Sequence, residues 1–202
     1  MSKKSIIITG SPGVGKTTVA KALSKKLGIP YFDFARFVIQ KGLVESYDYS
    51  RMSFEVDVNK VKEIMKYEVQ ETPHIIDTLI PDVLPLSLVK IVVVLRLDPI
   101  KLALRLMQRG WRLSKIQENA EAELIGVVLC EAVNSYGYEI VREIDATNLR
   151  IEEIVDIIIR MIKGDKFEEH RPGNIDWLVK YQDPLDLSRR ILRLYREGQC
   201  RS

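Results

Sequence analysis

Ile6-Ile7-Ile8-Thr9-Gly10-Ser11-Pro12-Gly13-Val14-Gly15-Lys16-Thr17-Thr18 is the stretch on which the architecture turns. Its β-branched run reads as a buried parallel strand, because such strands are covered on both faces and need no polar alternation. Thr9-Gly10 breaks the run. Val19, Ala20, Leu23 and Leu27 then recur at helical spacing until Gly28-Ile29-Pro30 stops the helix. Strand, glycine-rich turn and helix in this order make a cradle for polyphosphate. The glycines let backbone N–H groups come close, and the helix N-terminus adds its partial positive charge. Gly10 to Thr17 is therefore expected to bind ATP with Mg²⁺, Lys16 bridging the β- and γ-phosphates and Thr17 ligating the metal.

Outward from this unit, strands and helices alternate. Tyr31-Phe32-Asp33-Phe34 reads as a second strand, followed by a helix near Arg36 to Lys41 that stops at Gly42. Residues 45 to 56 are polar and weakly periodic, and read as a mobile excursion carrying Tyr47 and Tyr49. Val58 to Gln70 repeats as a helix, His74-Ile75-Ile76-Asp77 is a third strand, and Ile91 to Leu97 a fourth. Asp98-Pro99 sets an N-cap before a proline at the first helical position. The helix from Ile100 runs to Arg109, and Gly110 interrupts it. A long helix from about Ser114 carries Ile116, Ala120, Leu124 and Val127/Val128, Tyr138 to Ile144 is a fifth strand, and Asn148 is expected to cap a helix over Ile151 to Ile162. Such alternation predicts a three-layer α/β sandwich with a five-stranded parallel sheet. Beyond Gly164 a polar connector leads to two helical segments, around Ile175 to Tyr181 and Leu185 to Glu197.

Three further residues fit phosphoryl chemistry. Asp77 ends the third strand, where a phosphate-loop fold places a carboxylate to hold Mg²⁺ directly or through water; a helix N-cap is the alternative, since Pro81 and Asp82 follow. Arg105 and Arg109 lie four apart on one helix face beside Gly110, a spacing that suits a clamp on transferring phosphates under a short lid. A solvated basic face is the competing reading. Trp111 suits either stacking on adenine or packing at the hinge. His74 and His170 sit in strand and linker and make poor candidates for a general base.

Composition narrows the class. With 46% hydrophobic and 29% charged residues over 202 positions, the chain has the content of a globular protein, and a formal charge of +3 is too small for a surface that wraps nucleic acid. Cys130 and Cys200 form no CxxC pair and offer no metal spacing, as expected of two reduced thiols in a cytoplasmic protein. No apolar stretch approaches the roughly 20 residues of a bilayer span, so no membrane partner is expected.

Gly10 to Thr18, Arg105-x-x-x-Arg109-Gly110, and Lys115-Ile116-x-Glu118-Asn119-x-Glu121-Ala122-Glu123 together resemble one family over about residues 5 to 162. It is the small adenylate-kinase-like ATPases of archaea and eukaryotes, called putative adenylate kinase or adenylate kinase isoenzyme 6. The resemblance implies a nucleoside monophosphate kinase-like domain over 1–163, with a monophosphate-binding insert at 30–53 and a lid at 108–118, and a helical extension over 164–202. It implies that Gly13, Val14, Gly15, Lys16, Thr17 and Thr18 bind ATP while Arg109 closes over it, and that Asp33 and Arg36 face the monophosphate. The implied activity is broad monophosphate kinase activity, ATP and AMP giving two ADP, with ATP hydrolysis. The implied partners are a small-subunit ribosomal platform protein and pre-rRNA, in late maturation of the small ribosomal subunit, for a monomer or weak oligomer. Two positions depart from the family pattern. The histidine expected two residues after the strand aspartate is Leu79, and an arginine expected in the insert falls on Ile39, with Arg36 one turn earlier. Leucine neither positions water nor moves a proton. An ATPase assembly factor with little AMP kinase activity, and a small-metabolite kinase of the shikimate or gluconate kind, remain as alternatives. Arg189, Arg190, Arg193 and Arg196 on the last helix suit contact with RNA or a partner, while Leu187, Ile191, Leu194 and Tyr195 suit docking on the chain's own core.

Overall fold

The computed structural model describes residues 4–48, 53–165, 168–181 and 184–199. Five strands, β1 (Ser5–Thr9), β2 (Tyr31–Asp33), β5 (Ile75–Asp77), β6 (Val89–Arg96) and β7 (Val141–Asp145), form one parallel sheet in the order β2-β5-β1-β6-β7. Two further strands among the described residues, β3 (Val44–Asp48) and β4 (Ser53–Val56), pair antiparallel with each other. The described residues of the 45 to 56 segment, read from their weak periodicity as an excursion, are thus paired strands. The pairing is short and polar, which leaves little apolar alternation to read. Tyr49 lies outside the described residues.

Strand alternation builds the layers. Ile6 and Ile8 of β1, with Val93 and Leu95 of β6, join one apolar core under α1 (Lys16–Leu27), α4 (Pro99–Gln108), α5 (Leu113–Leu124) and α7 (Ile151–Lys163). Ile7, Val92 and Val94 face the other way, into a core with α2 (Phe34–Gln40), α3 (Val58–Val69) and α6 (Val127–Tyr136). Ile7 and Ile8 are fully enclosed, each removal from water contributing about 2 kcal/mol before entropy is charged. The result is the α/β three-layer sandwich expected from the alternation of elements. Among the described residues no helix is long and apolar enough to cross a membrane.

Two expectations about helices change. The long helix from Ser114 is two helices, because Gly126 takes φ +68° and α6 restarts behind it. Asn148 does not cap α7: its Oδ1 accepts from Lys101 Nζ at 2.8 Å, while the Arg150 backbone N–H at the N-cap donates to Glu153. Asp98, by contrast, caps α4 as expected, its Oδ1 accepting from the backbone N–H groups of Ile100 and Lys101.

The C-terminal segment joins the first core. Trp177 and Tyr181 of α8 (Trp177–Tyr181), and Leu187 and Ile191 of α9 (Pro184–Gln199), are buried with the α1, α4 and α5 side chains. The four arginines of α9 stay exposed, so its apolar side docks and its basic side meets solvent.

Candidate functional site

Parallel pairing sets the site at the C-terminal edge of the sheet. Thr9 closes β1 and Gly10 turns away with φ +138°, so tightly that a Cβ there would lie 2.3 Å from the Leu95 carbonyl oxygen. Gly13 at φ +92° has Leu102 and Leu106 of α4 against the same position, each at 3.0 Å. The loop is therefore pressed onto β6 and α4 as only glycine permits. Gly15 at φ +115° is the N-cap of α1 and supplies no side-chain hydrogen bond, leaving the first N–H groups of a 12-residue helix without a cap. That is the electrostatic and hydrogen-bonding need an anion fills.

Lys16 is buried, 8% exposed, and its Nζ donates to the carbonyl oxygens of Gly10 at 2.8 Å and Ser11 at 3.0 Å. Burial pulls its ammonium down to about 8; Asp77 and Glu123 oppose that pull and Arg109 adds to it. Thr17 Oγ1 donates to Asp77 Oδ2 at 2.5 Å, and the Tyr31 hydroxyl donates to the same oxygen at 3.1 Å. Burial first, and Asp77 second, push the Tyr31 hydroxyl far above its ordinary range, so it remains a donor. Asp77 lies opposite Ile8 across the β1–β5 pairing, and no helix begins behind it, so it is no N-cap. Among the described residues no cluster of three or more His, Cys, Asp or Glu could hold a metal alone. One hydroxyl and one carboxylate suit Mg²⁺, which keeps its waters and takes its other ligands from phosphate oxygens.

The two arginines separate. Arg105 Nη1 donates to the Val14 carbonyl at 3.0 Å and more distantly to that of Gly13 at 3.4 Å, so it braces the loop from outside. Arg109 is exposed at the C-cap of α4, near enough to Lys16 to disfavour its proton. Trp111 is half-buried against the first core, next to the turn through Gly110, whose φ is +73°. Thr18 is exposed on the first turn of α1. On the other side of the sheet Asp33 caps α2, accepting from the Arg36 N–H at 3.0 Å, and it pairs in register with Asp77 across β2–β5. Arg36 and Ile39 lie on the exposed side of α2, and Leu79 is half exposed beyond Asp77.

Glu123 had no role assigned from sequence. It is 2% exposed, and Oε2 accepts from Ser11 Oγ at 2.6 Å while Oε1 accepts from Arg96 Nε at 2.7 Å, Leu97 N at 3.2 Å and Trp177 Nε1 at 3.3 Å. Arg96 extends the network to Glu143 Oε2 at 3.0 Å, and Glu143 Oε1 accepts from Ile175 N at 2.9 Å. Burial raises the Glu143 carboxyl, against the Ile175 N–H and Arg96. The signal in the sequence was a charged side chain in an apolar position: Arg96 inside the run Ile91 to Leu97, and Glu123 seven residues after Ile116 on the inward face of α5.

A protein-family model described as an AAA domain matches residues 6–126. A protein named "Putative adenylate kinase" from Pyrococcus abyssi is 38% identical over 178 residues, covering 88% of this chain and 93% of the relative. One of the same name from Methanocaldococcus jannaschii is 38% identical over 183 residues, 90% of this chain and 97% of the relative. The solved shikimate kinase from Bacteroides thetaiotaomicron superposes with a TM-score of 0.52 at 20% identity, over 79% of this chain and 98% of that one, a likeness of fold alone.

Proposed function

Because the chain belongs to the family whose members are named "Putative adenylate kinase", we propose that it is a nucleoside monophosphate kinase that moves the γ-phosphoryl group of ATP to AMP, giving two ADP. The observation that carries this reading is the Thr17–Asp77 hydrogen bond at 2.5 Å beside buried Lys16, at the uncapped start of α1. When bound, Mg²⁺ neutralises charge on the β- and γ-phosphate oxygens, and Thr17 and Asp77 are the oxygens suited to hold it. Lys16 exchanges the Gly10 and Ser11 carbonyls for phosphate oxygens, and the N–H groups at the start of α1 receive the same anion. Arg109 folds over the transferring group, while Arg105 keeps the loop in shape. Asp33 and Arg36, at the β2–α2 junction, face the acceptor. Phosphoryl transfer needs little covalent chemistry from the protein, so positioning and charge are the whole contribution. The domain spans 1–163, with the insert at 30–53 and the lid at 108–118, and 164–202 is its helical extension.

ADP formation from ATP and Mg²⁺ is measured with and without AMP. A several-fold stimulation by AMP is expected, abolished by Lys16→Ala, and AMP-independent turnover refutes the kinase reading.

Exposed Leu79, where the resemblance leads one to expect histidine, favours a second reading: an ATPase acting in the cytoplasm as an assembly factor in late small-subunit maturation, as a monomer or weak oligomer. Its binding to a small-subunit platform protein and to pre-rRNA then differs between ATP and ADP. A pull-down indifferent to nucleotide and to Lys16→Ala rejects it.

A further inference from the structure

Besides the bonds of Lys16 and Thr17, two side-chain contacts hold the phosphate-binding loop among the described residues, and both involve elements that touch α8. The first is Ser11, whose hydroxyl donates to Glu123, which also accepts from the Trp177 indole N–H. The second is Arg105, which donates to the Val14 carbonyl from α4. The cap of α4, Asp98, spends its second oxygen on α8: Oδ2 accepts from Lys180 Nζ at 2.5 Å and from the Tyr181 hydroxyl at 2.7 Å.

We propose that Glu123 is a positioning residue that couples the phosphate-binding loop to the C-terminal segment, so that α8 docks differently when the loop holds nucleotide. The inference rests on the reading of Gly10 to Thr17 as an ATP site. A carboxylate has about four acceptor positions, and Glu123 serves four donors, three of them on one oxygen. Trp177 is the longest of the four, the bond that yields first when the carboxylate turns. The turn has a source in the loop itself. Lys16 leaves the Ser11 carbonyl when it takes up phosphate, and that carbonyl, left with the long Val14 N–H contact at 3.4 Å, draws Ser11 and with it the hydroxyl held by Glu123. Trp177 is buried, 7% exposed, so a change at Ser11 reaches the indole through one shared, solvent-shielded side chain. A second contact with α8 is made by Asp98 at the start of α4, the helix that carries Arg105.

The chain has two tryptophans, so in Trp111→Phe the emission belongs to Trp177 alone. That protein is titrated with ATP and Mg²⁺ by fluorescence and by calorimetry. The expected result is a saturable change in Trp177 emission whose midpoint equals the calorimetric one. Heat of binding with flat emission overturns the coupling and leaves the ATP site standing; absence of heat overturns both. Nucleotide affinity is then measured in Ser11→Ala, Trp177→Phe and the double variant. Phenylalanine keeps an aromatic ring on α8 and removes the indole donor, at the cost of some buried volume that thermal stability reads separately. Each single change is expected to weaken ATP by about threefold or more, and the pair by clearly less than the product, as residues sharing one partner do. A Trp177→Phe protein that loses thermal stability with unaltered affinity, or effects that simply multiply, overturn the proposal.

Discussion

Raising the pH should weaken ATP binding through one group. Burial draws the Lys16 ammonium of the free protein from its ordinary 10.5 down to about 8, while Asp77 and Glu123 resist and Arg109 assists. Bound phosphates face Lys16 with several negative charges and hold its proton on, so ATP prefers the protonated form. Linkage then gives a dissociation constant that grows as one plus ten to the power of pH minus about 8: roughly 1.1-fold at pH 7, about twofold at pH 8 and about 11-fold at pH 9. Binding should take up about 0.1 proton at pH 7 and about 0.9 at pH 9. Calorimetry at about pH 7.5 and above, where the terminal phosphate is already ionised, measures both quantities when run in two buffers of different ionisation enthalpy. Lys16→Arg keeps its charge throughout and should give a flat profile. The same shift acts on stability with a definite sign. Between about 8 and 10.5 the unfolded chain binds more protons than the folded one, so stability climbs with pH across that window. At neutral pH the buried charge costs about 3 kcal/mol, and Lys16→Met should recover part of that in urea, less what the two carbonyl hydrogen bonds supplied. A dissociation constant unchanged from about pH 7.5 to about pH 9, with no proton uptake in the parent protein, refutes the argument.

Gly10→Ala should destabilise the fold by about 3 kcal/mol or more in urea, since φ +138° alone strains a side chain by about 1–3 kcal/mol and its Cβ would overlap the Leu95 carbonyl. Asp77→Asn retains an acceptor for Thr17 and Tyr31 but loses the charge a metal needs, so melting should hardly move while the magnesium requirement for ADP formation rises about 10- to 100-fold. At Asp98 burial favours the neutral acid, but the hydrogen bonds from Lys180 and Tyr181 outweigh it and hold the carboxyl below its usual range. The resulting stabilisation is complete at neutral pH and disappears as pH falls through that depressed value, so Trp177 emission should report release of α8 below about pH 4, and Asp98→Asn should remove this acid transition.

Local pattern carried the sheet and the loop. A strand whose residues are buried on both faces announces itself by composition, which is why β1 and β6 were found within one to two residues of their ends, and Asp98 as a cap. What failed to show was whatever depends on a partner far along the chain. Arg105 faces the loop as a spaced arginine should, yet its hydrogen bonds go to the Gly13 and Val14 carbonyls, a contact across 91 to 92 residues that spacing on one helix cannot express. Glu123 reaches Ser11 across 112 residues and Trp177 across 54. The basic last helix gave two readings because its faces differ: Leu187 and Ile191 dock on the core, as one reading expected, while Arg189 and Arg193 are exposed.

The two sides of the site differ in how they are built, and this bears on why ATP binding and phosphoryl transfer should be separable. On the donor side the N–H groups at the start of α1 stand uncapped while the side chains around them are committed inside the protein: Ser11 to Glu123, Lys16 to two carbonyls, Thr17 to Asp77, and Arg105 to the Val14 carbonyl. Such a loop is held close to the shape that phosphate needs, and ATP replaces internal hydrogen bonds, the adjustment at Ser11 falling on Glu123. On the side proposed for the acceptor Arg36, Ile39 and Leu79 are exposed, and Asp33 is engaged as the cap of α2. An acceptor must therefore order its own contacts on arrival, drawing on its binding energy to do so. Substitutions around Glu123 should accordingly act on ATP affinity, whereas those at Arg36 and Leu79 should act on the dependence of rate on AMP and leave ATP affinity alone.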